Sequence, residues 1–243
     1  MTPSLPPIAI LAGGMATRLR SVSPDVPKAM IEVAGAPFIA HQLARLHKEG
    51  IRRAVFCLGH QAAQIEAFLG DGSRFGMQIS YSYDGDTLLG TGGAIAKALP
   101  LLGETFYITY GDTLLDVSYS GVAATLARHP DALGVITVLR NDNRWDKSNM
   151  ALAGERILAY DKTGAFPGMR HIDYGLSLFR AQAFESFRDR ELFDLGEVFI
   201  KAIGAGAIIG YEVTQRFYEI GTPESLQETA RYLTEKKETW KPT

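Results

Sequence analysis

Cysteine and tryptophan are scarce in this 243-residue chain, which has one cysteine and two tryptophans. The single cysteine, Cys57, excludes an internal disulfide, and its apolar neighbours in RRAVFCLG indicate a small buried side chain. No apolar run approaches the roughly 20 residues that a membrane-spanning helix needs, and no basic segment precedes the first apolar run. These absences predict a cytoplasmic protein with no membrane partner.

An excess of charge of one sign is also missing. The chain has 25 lysines and arginines against 27 aspartates and glutamates, which gives a formal net charge of −2. Because no global positive field would draw it to a polyanion, we expect no nucleic-acid partner. Any phosphate-binding site in this chain must therefore depend on a few local cations.

Short apolar runs typical of buried strands alternate with amphipathic, helix-like segments over the first half of the chain. This order predicts an α/β fold with a mostly parallel, mixed sheet and helices on both faces. The predicted strands are 8–12, 53–59, 77–83, 105–112 and 133–139, and the predicted helices are 38–50, 61–72, 91–102 and 119–129.

The second half of the chain contains more β structure. A hairpin is predicted over 149–162, a strand over 171–180, and one or two further strands within 207–221. A closing helix follows, for which Thr222 is a suitable N-cap and Pro223 a suitable first residue.

The stretch IAILAGGMATRLRSVSPDVPKAMIEVAG, residues 8–35, leaves its predicted strand through two glycines and then places Arg18 and Lys28 within fifteen residues. Paired glycines let backbone N–H groups approach an anion closely, and the two cations could bind its charge. The spacing matches neither G-x-x-x-x-G-K-[ST] nor G-x-G-x-x-G. On these residues alone, a phosphate cradle and a plain strand-to-helix turn both remain open.

Further motifs decide between them: LAGGMATRLR…PKAMIEVAGAPFI, DGSRFGMQISYSYDGDTLLGTGGAI, YITYGDTLLD, AYDK, IDYG and FYEIGTPESL. Together they resemble, in order and over residues 8–230, the sugar-1-phosphate nucleotidyltransferases. The resemblance implies an enzyme that joins a nucleoside triphosphate to a sugar 1-phosphate and releases pyrophosphate. It also implies a Rossmann-like, GT-A-like single domain over residues 1–243, with a nucleotide-binding half (8–139) and a sugar-binding part (140–243) that holds a small β-rich acceptor lobe and the C-terminal helix.

The resemblance implies which residues contact the nucleotide. Arg18 and Lys28 match an arginine and a lysine that contact its phosphates. Ala16 stands where the family usually has glycine, which would be costly if this position needs a left-handed backbone. The other expected nucleotide contacts are Leu11, Ala12, Gly13, Gly14, Thr17, Gly90, Thr91 and Gly92.

A magnesium ion is the implied cofactor, and two carboxylates are its implied ligands. Asp112 follows an apolar strand at the end where open α/β sheets bind ligands, and it matches the family's principal metal ligand. Glu219, in YEIGTPE, takes the place of the aspartate in the family motif D-I-G-T-P-E. Its longer side chain leaves open whether it would bind the metal directly or through water.

The resemblance also implies an acceptor site. Lys162, in AYDK, aligns with a lysine that touches the sugar phosphate, which makes the implied catalytic set Arg18, Lys28, Asp112 and Lys162. Glu197, in LGEVF, aligns to within one residue with a family carboxylate that binds a pair of sugar hydroxyls. The other expected sugar contacts are Gly111, Asp173 and Gly175.

Substrate choice is the least determined property. The segments LLGTGGAI and YGDTLLDV resemble guanylyltransferases for mannose or heptose 1-phosphate, so GTP and D-glycero-D-manno-heptose 1-phosphate are favoured. A uridylyltransferase acting on a hexose or amino sugar 1-phosphate, such as N-acetylmuramate 1-phosphate, is one alternative. A catalytically idle regulatory homologue is another, because Ala16 and Glu219 depart from the family pattern. The C-terminal helix could pack on its own domain or on a second copy, which leaves a homodimer open.

Overall fold

The computed structural model describes residues 4–13, 26–59, 61–164, 168–236 and 238–240. The helices are α1 (Phe38–Lys48), α2 (Ala62–Leu69), α3 (Gly90–Leu102), α4 (Tyr119–Arg128), α5 (Leu195–Gly204) and α6 (Pro223–Lys236). The strands are β1 (Ile8–Leu11), β2 (Glu32–Val33), β3 (Ala36–Pro37), β4 (Arg53–Leu58), β5 (Gln78–Tyr83), β6 (Thr105–Tyr110), β7 (Thr113–Leu114), β8 (Gly134–Arg140), β9 (Met150–Ala153), β10 (Arg156–Tyr160), β11 (His171–Arg180), β12 (Ile208–Val213) and β13 (Tyr218–Glu219).

Within the described residues, the main sheet has nine strands in the order β5-β4-β1-β6-β11-β8-β12-β10-β9. Strands β5, β4, β1 and β6 are parallel, whereas β11 runs antiparallel to both β6 and β8. The predicted hairpin around Gly154 is confirmed as β9 and β10. The predicted mixed α/β sheet is therefore confirmed, and the strands of the more β-rich second half continue this sheet beyond β6. The division of the chain near residue 139 stays a prediction.

Alternate residues of the central strands face opposite layers of core. In β1, Ile8 and Ile10 pack into a cluster with Leu43 of α1, and Ala9 packs into a second cluster with Ile95 of α3. Helices α1, α2 and α4 cover the first face, and α3 and α5 cover the second. Because both faces are buried, these strands need continuous apolar sequence rather than alternation, which is why IAIL could be recognised as a central strand.

A third, smaller cluster brings the end of the chain back to the middle of the sheet. Leu233 of α6 packs on Ile31 and Phe38, next to Leu114 of β7 and to Ile220. The Thr222 hydroxyl accepts a hydrogen bond from the Ser225 amide at 3.1 Å, so the predicted N-cap of this helix is confirmed. The cluster holds β13 against β7, immediately after the β6 strand.

The sequence did not reveal α5 or the short β2–β3 hairpin. The hairpin turns through Ala34 and Gly35, both with positive φ, and strands of two residues carry no measurable periodicity. Helix α5 begins with a capping box. The Asp194 side chain accepts a hydrogen bond from the backbone of Glu197, and the Glu197 side chain accepts one from the backbone of Asp194. That Asp-x-x-Glu spacing is a recognisable helix start and could have identified α5.

Nothing in the described part of the chain is a helix both long enough and apolar enough to cross a bilayer.

Candidate active site

A cavity of about 290 Å³ opens at the carboxyl ends of β1 and β6. Its described lining contains eight of the predicted substrate contacts: Leu11, Ala12, Gly13, Lys28, Gly90, Thr91, Gly111 and Asp112. The same lining contains residues that the sequence did not indicate: Ala29, Cys57, Asp84, Leu88, Ala94 and Tyr110. The predicted contacts Gly14, Thr17 and Arg18, and the variant position Ala16, lie outside the described residues.

Glycines follow β1, β4 and β6 where these three strands end beside the cavity. A β-carbon added at Gly13 would lie 2.8 Å from the Gly59 nitrogen, and one added at Gly111 would lie 2.9 Å from the Ala12 β-carbon. Both separations are too short for a side chain, so the two glycines permit close packing of neighbouring strand ends.

A lysine and two carboxylates meet at one end of the cavity. Lys28 Nζ lies 2.6 Å from Asp112 Oδ2, and both side chains are partly exposed. The Ile220 amide donates to the Asp112 carbonyl at 3.1 Å, which brings Glu219 beside the same segment. These contacts join the predicted residues Lys28, Asp112 and Glu219, although they are far apart in sequence.

Asp112 and Glu219 fit a magnesium ion by the chemistry of their donors. Magnesium prefers oxygen ligands and commonly takes one or two protein carboxylates, with substrate phosphates and water completing its shell. The described residues contain no group of three or more histidine, cysteine or acidic side chains that could hold a metal alone. A metal at this position would therefore complete its ligand shell with water and, when substrate is bound, with phosphate oxygens.

The glycines at the start of α3 have two different surroundings. Gly90 and Thr91 line the cavity, but Gly92 is buried behind it and its amide donates to the Phe193 carbonyl at 3.0 Å. A β-carbon at Gly92 would clash with the Phe193 ring. Gly92, predicted to lie beside the base, instead allows α3 to pack against the segment that precedes α5.

The acceptor-side lysine has a partner that the sequence analysis missed. Lys162 Nζ lies 2.7 Å from Asp194 Oδ1, and the Thr91 hydroxyl lies 3.2 Å from Asp194 Oδ2. Burial raises the pKa of Asp194, but hydrogen bonds from Lys162 and the Gly196 amide bring that pKa below its usual value. Asp194 thus connects the nucleotide wall at Thr91 to Lys162.

Glu197 occupies a different position from Asp194. Its carboxylate accepts a hydrogen bond from the Asp194 amide at 3.1 Å and pairs with Arg190 at 2.7 Å. Both carboxylate oxygens therefore have partners, one in the capping box that begins α5 and the other in the ion pair with Arg190. A sugar contact for Glu197 stays a prediction, whereas the carboxylate that faces Lys162 belongs to Asp194.

Asp173 lies in a distorted part of β11, half-buried beside Tyr110 and Tyr160. Its Oδ1 accepts a hydrogen bond from the Gly175 amide at 3.0 Å, and Gly175 has a φ of +94° that few other residues tolerate. Burial raises the pKa of Asp173 to about 6, against the opposing effects of that hydrogen bond and of Lys162. Burial also raises the pKa of both tyrosines, so they remain neutral hydrogen-bond donors.

A comparison with known protein families gives a match over more than half of the chain. Residues 8–147 match the family model for nucleotidyl transferases. The chain belongs to the nucleotidyl transferase family. This family assignment agrees with the resemblance that the motifs carry.

Three curated members of the nucleotidyl transferase family are similar over most of this chain. An N-acetylmuramate alpha-1-phosphate uridylyltransferase of Neisseria meningitidis is 28% identical, covering 90% of this chain and 94% of the relative. A mannose-1-phosphate guanylyltransferase of Mycobacterium tuberculosis is 32% identical over 89% of this chain, but the match spans only 61% of that longer protein. A D-glycero-alpha-D-manno-heptose 1-phosphate guanylyltransferase of Campylobacter jejuni is 27% identical, covering 88% and 94%.

The fold has solved counterparts. The inositol-1-phosphate CTP transferase from T. maritima superposes with a TM-score of 0.80 at 21% identity, covering 99% of this chain and 100% of that one. At that identity the comparison concerns the fold alone, and it agrees with the GT-A-like α/β architecture expected from the motifs.

Replacement of Asp173 by asparagine is expected to stabilise the protein above pH 6. Because the folded-state pKa is raised, the folded protein binds this proton more tightly than the unfolded chain, and stability falls as pH rises from about 4 to 6. Asp173→Asn removes that loss, so its free energy of unfolding should exceed wild type by about 1–2 kcal/mol more at pH 7.5 than at pH 4. Urea denaturation at both pH values measures the difference. The exposed Asp189→Asn variant is the control, and a pH-independent difference for Asp173→Asn would contradict the assignment.

Proposed function

We propose that this protein is a sugar-1-phosphate nucleotidyltransferase that prefers GTP and D-glycero-D-manno-heptose 1-phosphate. The observation that carries the proposal is the Lys28–Asp112 pair, joined to Glu219, at one end of the cavity above β1 and β6. A cytoplasmic location and a homodimer stay predictions.

The reaction places specific demands on the site. A phosphate oxygen of the sugar 1-phosphate attacks the α-phosphorus of the triphosphate, a new P–O bond forms, and the bond to the bridging oxygen breaks to release pyrophosphate. Because the attacking oxygen is already anionic, no strong general base is needed. The protein must hold two repelling anions in line and stabilise the charge that develops on pyrophosphate.

Charged residues in the cavity and beside it could meet these demands: Lys28 and Asp112 line the cavity, whereas Glu219 and Lys162 lie outside its lining. Lys28 can bind the triphosphate, and Lys162 can bind the sugar phosphate and reduce its repulsion from the nucleotide. Asp112 and Glu219 would hold magnesium, which when bound supplies positive charge to the phosphate oxygens. Asp173 and the Gly175 backbone are the predicted contacts of the sugar hydroxyls, and Arg18, outside the described residues, is the predicted partner of the leaving phosphates.

The direction of the nucleotide in the cavity follows from the strand order. Asp84 follows β5 and Asp112 follows β6, and β4 and β1 lie between these strands. At a strand spacing near 4.8 Å, the ends of β5 and β6 that carry these residues are about 14 Å apart across the sheet edge. With the phosphates at Lys28 and Asp112, the base is expected at Asp84.

Asp84 supports guanine as that base. The Leu89 amide lies 3.3 Å from Asp84 Oδ2, and burial together with the Asp84 charge raises the pKa of the Cys57 thiol to about 12, so the carboxylate faces this wall. A carboxylate only accepts hydrogen bonds, and the Watson–Crick edge of guanine offers two adjacent donors, N1–H and the 2-amino group. Uracil offers one N–H between two carbonyl oxygens, which a carboxylate repels.

Uridylyl transfer is the second candidate. The Neisseria relative named for that activity matches this chain about as well as the Campylobacter heptose 1-phosphate guanylyltransferase. The similarity to these two relatives favours neither UTP nor GTP. The preference for GTP in this proposal therefore rests on Asp84.

Pyrophosphate release is expected with magnesium, GTP and a heptose 1-phosphate, and less with UTP, dTTP, CTP or ATP. Asp112→Asn should lower kcat/KM by about 100-fold or more, because the carboxylate that would hold the metal loses its charge. A coupled pyrophosphate assay over the nucleotide and sugar 1-phosphate panel measures both effects, with the exposed Asp131→Asn as control. Tight nucleotide binding without pyrophosphate from any pair would show an idle homologue instead.

Asp84→Asn is expected to change nucleotide preference without abolishing turnover. An amide keeps one acceptor but presents a donor to the guanine edge, so kcat/KM for GTP should fall by about 10- to 100-fold. The value for UTP should stay unchanged or rise. The neighbouring exposed Asp86→Asn variant is the matched control. An equal fall for GTP and UTP would mean that Asp84 does not read the base.

A further inference from the structure

The Lys28 ammonium lies next to both carboxylates that would hold the metal. Its nitrogen is 2.6 Å from Asp112 Oδ2. A β-carbon added at Gly221 would lie 3.2 Å from the same nitrogen and would also contact Glu219 Oε2. Gly221 therefore lies where the side chains of Lys28 and Glu219 come together, and a larger residue at this position would contact both of them.

The backbone of the Asp112 segment is held from behind by a buried side chain. Gln42 of α1 is 3% exposed, and its Nε2 donates to the Tyr110 carbonyl at 2.7 Å and to the Thr113 carbonyl at 2.8 Å. These two carbonyls lie on either side of Gly111 and Asp112. The turn that carries Asp112 is consequently attached to α1 at both of its ends.

The Glu219 segment is held in a similar way. Thr229 of α6 is fully buried, and its hydroxyl donates to the Glu219 carbonyl at 2.8 Å. The Ile220 amide donates to the Asp112 carbonyl, so the two carboxylate-bearing segments are also bonded to each other. Their relative position is set by buried hydrogen bonds, which are costly to break without replacement.

The Lys28 side chain is the group in this cluster that can move. Lys28 begins a short 3-10 turn after Pro27, and its long aliphatic stem reaches an ammonium that is partly exposed. An ammonium on a flexible stem exchanges one anionic partner for another without a change in the backbone. The pair with Asp112 is accessible to solvent and correspondingly weak.

We propose that Lys28 competes with the divalent cation for Asp112, and that the triphosphate ends the competition by drawing the ammonium onto its own oxygens. This inference rests on the proposed function, because it takes Asp112 and Glu219 as the metal carboxylates. Lys28 then has two positions, one on Asp112 and one on the nucleotide. The cation and the triphosphate consequently bind with positive cooperativity, each strengthening the other to the same degree.

Charge repulsion gives the competition its sign. A divalent cation next to Asp112 would share the carboxylate with an ammonium, whose charge has the same sign, so binding of the cation without nucleotide is weakened. When the ammonium moves to the triphosphate, it no longer compensates the negative charge of Asp112 and Glu219, and the cation can bind both carboxylates without repulsion from Lys28. The arrangement delays metal binding until the nucleotide that the metal must bridge has arrived.

Binding of Mn²⁺ without nucleotide tests this inference without any turnover. Free Mn²⁺ measured by electron paramagnetic resonance gives the affinity of wild type, Lys28→Met and Lys28→Arg. We expect Lys28→Met to bind Mn²⁺ about 5- to 10-fold more tightly than wild type, because the competing charge is gone. Lys28→Arg keeps the charge and should bind like wild type, and Lys201→Met on the surface of α5 is the matched control.

A non-hydrolysable triphosphate analogue completes the test. It should strengthen Mn²⁺ binding more in wild type than in Lys28→Met. Equal or weaker Mn²⁺ binding by Lys28→Met, or tightening by Lys28→Arg as well, would overturn the competition. If the competition is overturned in this way, the proposed function would still stand provided that Asp112→Asn loses Mn²⁺ binding and wild type releases pyrophosphate. Retention of Mn²⁺ binding in Asp112→Asn, with no pyrophosphate from wild type, would instead remove the proposed function.

Discussion

The hydrogen bond from the Ile220 amide to the Asp112 carbonyl joins two parts of the chain on which the whole site depends. Asp112 follows the central strand β6, whereas Ile220 follows β13, more than a hundred residues later. The pairing of β7 with β13 and the packing of α6 over Ile31 and Phe38 hold this contact in place. Without it, one end of the cavity would have a single carboxylate.

The cavity combines closely packed strand ends with charged side chains on different sides. Gly13 and Gly111 allow the strand ends beside the cavity to approach each other closely, and charged side chains lie toward its two ends. Lys28 and Asp112 lie at one margin, Asp84 at the other, and Lys162 with Asp194 on the acceptor side. A ligand with an anionic end and a flat, hydrogen-bonding end fits that distribution of charge, which is the description of a nucleoside triphosphate.

Much of the fold followed from the sequence because the central strands are continuous apolar runs and the main helices are amphipathic. Lys28, Asp112 and Glu219 could be selected because they belong to motifs with defined spacing. The sequence analysis did not identify Asp194 as the partner of Lys162, although the Asp-x-x-Glu capping box accounts for Glu197 as a residue of the helix start. The sequence motif predicts that Gly92 contacts the nucleotide base, because glycines in such motifs commonly lie against the ligand. In the structure, the Phe193 ring packs against Gly92 and leaves no room for a side chain there.

Other features of the site had no sequence signal. Gln42 lies on the apolar face of an ordinary helix, and its hydrogen bonds to both sides of the Asp112 turn depend on how α1 packs on β6. Cys57 was correctly expected to be buried, yet its position on the cavity wall follows from the strand order β5-β4-β1-β6. Such contacts are tertiary, and local patterns of residues do not encode them separately from the fold.

A crystal structure of the protein with Mn²⁺ and a non-hydrolysable GTP analogue would locate every charged partner at once. We expect the anomalous signal of manganese between Asp112 and Glu219, the guanine edge at Asp84, and the Lys28 ammonium on the phosphates rather than on Asp112. Manganese bound elsewhere, or a nucleotide outside the cavity above β1 and β6, would contradict nucleotidyl transfer at this site.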